Sequence, residues 1–362
     1  MDNRYLYEMR PNIHPDSLPP LHRAALDGDI HTIETLLESG ADPNIESDQG
    51  HTAVDFATMQ GNAAALHLLL KAGANPDRPT RIPPLCRAAG RGDINCVRLL
   101  LRYGASPNPI LNDGDEPPIE PAYGFRIPLF AAAQGGNAEC VRLLLDAGAR
   151  IHTVDVCGET ALMNASSSAA VRILLQAGTS LHSQTELVGS VINHAVDNGF
   201  HEAMQALVEA GADIDDQTTS DRTPLIRHCA SCERNAAMIQ TLIDAGANLH
   251  ARWFRGRTAL HEAVQVISGD RFPHFESAIR TLVAAGLDVN VRDDEGSTPL
   301  HYALGDEGGA EEAVKTLLAL GADPNIRNDK GQTPRDIADL YRCRHLAKLL
   351  PPPPNSRSWR TW

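Results

Sequence analysis

The 362-residue chain has few aromatic side chains, only 4 % of it, so a core organised around large rings is not expected. Its packing has to come mainly from Leu, Ala and Val. Positive charge is also short: the net charge of −14 argues against nucleic acid or an anionic membrane surface as the main partner. Cysteine is sparse and odd in number, seven scattered residues, which fits a reducing compartment better than a disulfide framework. No stretch approaches the roughly 18 apolar residues of a membrane span. Residues 1–20 carry Asp2, Arg4, Glu8 and Arg10 where a secretory signal needs an apolar run. Cytoplasm or nucleus is the expected location.

Catalytic motifs are missing too. There is no G-x-S-x-G elbow and no G-x-x-x-x-G-K-[ST] loop. His261-Glu262 and His201-Glu202 each open like a zinc-protease helix, but Gln265 and Gln205 stand where the second histidine is needed. Cys229 and Cys232 form a C-x-x-C with no second pair at a suitable spacing. Cys96 and Cys140 begin helical stretches at positions that call for a small hydrophobe. No enzyme, metal site or cofactor is expected.

The stretch Asp294–Asn325 shows what is there. Asp294-Glu295-Gly296 supplies turn chemistry, Thr298 is a good N-cap, and Pro299 fits the first helical position. Leu300, Ala303 and Leu304 form the apolar face of one short helix; Val314, Leu317 and Leu318 form that of a second, with Leu317 and Leu318 expected inside. Gly321 stops it. Helices shorter than about 12 residues are marginal alone in water, so the unit needs neighbours. The stop recurs at Gly40, Gly73, Gly104, Gly148, Gly178, Gly211, Gly246 and Gly286, about every 33 residues.

With Thr298-Pro299-Leu300-His301, Thr258-Ala259-Leu260-His261 and Pro20-Leu21-His22 at the head of such units, and Thr223-Pro224-Leu225 and Thr333-Pro334 in part, the chain resembles the ankyrin-repeat family. The resemblance covers residues 17–350 in about ten units. It implies an all-α solenoid of helix-turn-helix units with β-hairpin fingers; residues 1–16 are read as a cap on the first repeat or as disordered, and 351–362 as a proline-rich tail. It also implies that His22, His261 and His301 tie neighbouring turns by hydrogen bonds. The flanks are too short for a kinase, a full SOCS box or an F-box, so no appended effector domain is expected.

The period breaks in places. Residues 109–126 form a proline-rich, acidic insertion, read as a tolerated loop or as a docking arm anchored by Tyr123 and Phe125. Repeat five is short between its helices, where Ser166-Ser167-Ser168 disfavour helix, and its finger at Ser183–Gly189 lacks the usual turn. A weak joint is expected near 155–190. The eighth repeat carries extra residues around Phe272–Phe275, and the tail ends with Trp359 and Trp362.

Recognition is left to the finger tips and inner helices. Six residues before the Thr slot stand Glu46 and Asp77 early in the chain, but Arg252, Arg292 and Arg327 late in it. One finger adds Trp253, Phe254, Arg255 and Arg257, the composition of binding hot spots. The expected function is a protein–protein interaction module or scaffold whose partner carries an acidic segment, with Trp253 and Phe254 exposed as its anchors. The rival readings are a substrate-recognition adaptor of a ubiquitin ligase and an unusual enzyme holding a small molecule in the concave groove.

Overall fold

The computed structural model describes residues 18–77, 82–108, 127–155, 157–185, 189–217, 222–231, 235–265, 275–304 and 311–350. The chain divides into two compact units, Met1–Ala212 and Asp213–Trp362.

In the first unit the helices are α1 (Pro20–Asp27), α2 (Ile30–Glu38), α3 (Ala53–Met59), α4 (Ala63–Lys71), α5 (Pro84–Arg91), α6 (Ile94–Arg102), α7 (Pro128–Gln134), α8 (Ala138–Asp146), α9 (Ser168–Gln176), α10 (Val191–Asp197) and α11 (His201–Glu209). A two-stranded antiparallel hairpin, β1 (Gln184–Thr185) and β2 (Gly189–Ser190), precedes α10. Inner helices stack on inner ones, α1 on α3 on α5 on α7, and outer helices on outer ones, α2 on α4 on α6 on α8.

The second unit repeats the scheme with α12 (Pro224–Cys229), α13 (Ala236–Asp244), α14 (Ala259–Ala263), α15 (Phe275–Ala284), α16 (Pro299–Tyr302), α17 (Glu311–Ala319), α18 (Pro334–Leu340) and α19 (Arg344–Ala347). Here α12, α14, α16 and α18 are the inner row, and α13, α15 and α17 the outer row.

Local chemistry sets these elements. Pro20, Pro84, Pro128, Pro224, Pro299 and Pro334 each sit in the first turn of an inner helix, where the missing N–H is no loss. Asp29 and Asn62 cap the outer helices α2 and α4 by accepting from Thr32 N and Ala65 N, both at 3.0 Å. Inner helices are enclosed by layers on both sides, so every residue of α3 is buried. Outer helices bury one stripe only, as with Cys96, Val97 and Leu100 of α6. Each leucine so buried contributes about 2 kcal/mol.

Burial pushes the thiol of Cys96 up to about 12 and that of Cys140 up to about 11, so both are protonated packing groups. Leu317 is fully buried, but Leu318 is only half-buried, contrary to expectation. One residue further on is about 100° around the helix, which carries Leu318 to the rim of the stripe. Gly321, at φ 93°, ends α17 in the left-handed conformation while Ala322 N donates to Leu317 O at 3.0 Å.

The histidine ties are present. His261 Nδ1 accepts from Thr258 N at 3.1 Å, and its Nε2–H donates to Ser297 O of the next finger at 3.2 Å. His301 repeats this with Thr298 N and Gln332 O, both at 3.1 Å. His22 Nε2 reaches His51 O at 2.9 Å, but its buried Nδ1 has no partner. Pro19 holds the place of the threonine there and has neither an N–H nor a hydroxyl to give.

A second ladder went unread in the sequence. Asn44 Nδ2 donates to Gly73 O at 3.1 Å while its Oδ1 accepts from Asn75 N at 2.7 Å, which joins two repeats at the base of the fingers. Asn108 does the same with Gly148 and Arg150, and Asn290 with Gly321 and Asp323.

Repeat five has turns over 161–164 in place of an inner α-helix, with Ala161, Leu162 and Met163 buried all the same. Two of its serines are put to use. Ser166 N donates to Ala133 O at 3.0 Å, and Ser167 Oγ donates to Gly136 O at 2.9 Å while capping α9. Residues 1–16, the 109–126 insertion with Tyr123 and Phe125, Cys232, the turn carrying Phe272, and the 351–362 tail lie outside the described residues.

Candidate functional site

Three successive fingers of the second unit carry the residues singled out in the sequence. Each closes in the same way: Trp253 N donates to Arg257 O and Asp293 N to Ser297 O, both at 3.0 Å, and Asn328 N to Gln332 O at 2.9 Å. The tips are joined along the row by backbone bonds, Asp294 N to Arg255 O and Asp329 N to Glu295 O, both at 2.9 Å. Trp253 thus stands where Asp293 stands one finger later. Asp293 uses that place to accept from Glu295 N and Ser297 N, at 2.9 and 2.8 Å. Without that carboxylate the first finger takes another turn, and Arg255 lies in the left-handed region at φ 59°.

The structure brings Arg252, Arg292 and Arg327 into register, but their heads serve the array. Arg252 Nη1 donates to Gly256 O of its own finger and to Arg292 O of the next, both at 3.2 Å. Arg292 donates to Gly296 O at 3.1 Å and to Arg327 O at 3.0 Å, and Arg327 donates to Gly331 O. A carboxylate also lies beside each: Asp294 at 3.9 Å, Asp329 at 3.5 Å and Asp336 at 4.0 Å respectively. All three heads remain half-exposed or more; those of Arg252 and Arg292 tie one finger to the next, that of Arg327 closes its own, and each has a carboxylate nearby.

Trp253 is not the exposed anchor that its composition suggested. It is half-buried, with the guanidinium of Arg222 3.8 Å from its ring centre and that of Arg257 4.7 Å away. Both arginines turn to the buried Glu262, which lies 3.3 Å from Arg257 Nε and 3.8 Å from Arg222 Nη2. The Trp253 ring thus fills space between two cations that share one carboxylate. Phe254, 58 % exposed, does face solvent as expected.

The open surface lies beside these fingers. A cleft of about 530 Å³ runs between the finger tips and α16 and α18, walled by Arg255, Glu295, Tyr302, Lys330, Leu340 and Tyr341. Leu340 is 63 % exposed and Tyr341 48 %, at the end of α18. Arg255 Nη1 donates to Glu295 Oε1 at 2.7 Å, and Lys330 Nζ lies 3.6 Å from Glu295 Oε2. Two cations share one carboxylate there.

Deeper in, Tyr302 OH donates to Asp293 Oδ2 at 2.7 Å, and burial together with that carboxylate drives its phenol pKa up. His261, edge-on to Tyr302 at 5.4 Å, is lowered to about 4, mainly by burial, and His301 is lowered for the same reason. These groups are neutral at pH 7, and both ring nitrogens of each histidine are taken up by the finger bonds.

Sequence reasoning missed Arg222, Glu262, Glu295, Lys330, Leu340 and Tyr341.

Comparisons with known proteins agree on one family. The profile described as ankyrin repeats in three copies matches residues 4–80, 21–110, 57–155, 85–185, 169–253, 192–271, 228–328 and 271–351. The chain is similar to the human transient receptor potential cation channel subfamily A member 1, 29 % identical over 272 residues, which is 68 % of this chain and 23 % of the channel. It is also similar to the mouse ankyrin repeat and SOCS box protein 16, 35 % identical over 108 residues, 27 % of this chain and 24 % of that protein. The matched segment thus spans less than a quarter of either relative. Among solved structures, the human ASB11 ankyrin repeat domain aligns with 75 % of this chain and 99 % of its own at 22 % identity and a TM-score of 0.43.

Proposed function

Because the chain belongs to the ankyrin-repeat family, we propose that it is a non-enzymatic module that docks a protein partner on its finger and inner-helix face, the concave side in arrays of this kind. Ankyrin repeats are protein-interaction units, and a pre-formed face of this type avoids most of the ordering cost of binding. The observation that carries the reading is the cleft beside fingers 252–332. It is large enough for a few side chains, has an apolar wall at Leu340 and Tyr341, and has cations at its mouth. That combination suits a partner segment with apolar and acidic residues.

The compartment proposed with it is the cytoplasm or the nucleus, in keeping with six described cysteines that form no disulfide with one another. The test compares proteins captured by the whole chain with those captured by a Leu340→Asp, Tyr341→Asp variant of unchanged thermal stability. Loss of specific partners is the expected result. An identical set would remove this face as the docking site.

A second reading, an adaptor that presents a bound protein to a ubiquitin ligase, is favoured by the likeness to the ankyrin repeat and SOCS box protein. It requires a ligase subunit that co-purifies with the chain in stoichiometric amount.

A further inference from the structure

We propose that Glu295 is a built-in stand-in for the partner: its carboxylate occupies, between Arg255 and Lys330, the place that an acidic side chain of the bound segment takes. The proposal rests on the interaction-module reading and adds the chemistry of the contact. The charge distribution carries it. Among the described residues of this finger row, Arg252, Arg292 and Arg327 each lie beside an aspartate and already donate to backbone carbonyls. Arg255 and Lys330 have only Glu295 between them; Arg222 and Arg257 likewise share Glu262, but those two are mostly buried, so it is at Arg255 and Lys330 that an excess of positive charge faces solvent.

Both cations are more than half exposed, with side chains at 57 % and 70 %, so the pairing is solvent-screened and weak. An incoming carboxylate can exchange with Glu295 at little cost. The turn of the first finger sets the direction of Arg255. Arg255 is held left-handed, a conformation a non-glycine residue adopts at some expense, and from it reaches Glu295 on the neighbouring finger.

The apolar part of the contact lies across the cleft. Leu340 and Tyr341 face open solvent, and Tyr302 lines the wall between them and the finger tips. The occupant is therefore an extended peptide segment with an aspartate or glutamate at the Arg255–Lys330 end and an aliphatic or aromatic side chain at the Leu340–Tyr341 end.

The sign of one substitution separates this from a purely structural role. If Glu295 competes with the ligand, Glu295→Gln should tighten binding of an acidic peptide about fivefold at low salt. If Glu295 only organises the finger, the same change should weaken binding and lower the melting temperature together.

The experiment selects binders from a displayed library of random dodecapeptides on the whole chain. The best peptide is then titrated against the parent, Glu295→Gln, Lys330→Glu and Tyr341→Ser. Expected are acidic, apolar-containing peptides that bind tighter to Glu295→Gln and weaker to the other two. Basic or uncharged peptides, or affinities indifferent to Glu295 and Lys330, would overturn the stand-in role. Peptides that ignore all three variants would leave an interaction module with its face elsewhere. A library with no binder at all would count against the module reading as well.

Discussion

The fingers at 252–332 and the segment at 155–190 solve one problem, joining a repeat to the next, by different means. In the fingers the join is redundant. A histidine Nε2–H and an arginine head each donate to a carbonyl of the following finger, and a tip amide of that finger donates back. In repeat five Met163 occupies the histidine slot, and the join passes instead through Glu159. Its carboxylate sits 3.2 Å from His194 Nε2 and accepts from Asn164 Nδ2 at 3.1 Å. Ser166 and Ser167 look back to the preceding repeat. The difference teaches that repeat joints can rest on a ladder of donors to backbone carbonyls or on side-chain ion pairs, and that these respond to different insults.

The largest test strikes the layer that the fingers rest on. Leu317→Asp buries an unpaired charge between α15 and α17, at a cost above about 4 kcal/mol. Chemical denaturation of the variant should show the second unit unfolded or nearly so. An unchanged midpoint would mean that the buried stripe is misplaced.

Acid should come next. His261 is held neutral with a folded pKa of about 4, well below the usual value near 6.5. The unfolded chain therefore takes up this proton first as pH falls. Stability is intact above about pH 6.5 and falls from there to about pH 4, by an amount on the order of 3 kcal/mol for this residue. His301 and His22 shift in the same direction. Denaturation midpoints measured from pH 7.5 to 4.5 should decline, and His261→Gln should flatten the decline. A slope unaltered by that change would place the proton uptake elsewhere.

The smallest effect concerns the joint itself. With two side-chain pairs, Glu159–His194 and Arg172–Glu209, in place of the ladder of carbonyl bonds, repeats around 155–190 should open about 1–2 kcal/mol more readily than their neighbours. Glu159→Gln should widen that gap, because His194 would lose its charged partner. Hydrogen exchange reads both. Uniform protection from repeat four to repeat six would erase the contrast.

The sequence showed the layers plainly, since turn residues, proline caps and leucine spacing are local signals repeated many times. It showed the histidine ties for the same reason. It did not show which arginines were free. Arg252, Arg292 and Arg327 look like a row of unmatched charge until their carbonyl partners, dozens of residues away, come into view. Trp253 misled in a similar way: its exposure depended on Arg222 and Glu262, and nothing in the finger itself announces either. Lys330 and Glu295 lie on different fingers, so their meeting depends on the register of the stack.

The closed fingers also carry their own reporters. A carbonyl can only accept, so His22, His261 and His301 all bear their proton on Nε2, hydrogen-bonded across a junction to the following turn. Such imidazole protons exchange slowly with water and resonate far from the amide envelope. Each junction therefore announces in a nuclear magnetic resonance spectrum whether it is shut. His22 should be told apart from the other two by the nitrogen shift of its donorless Nδ1.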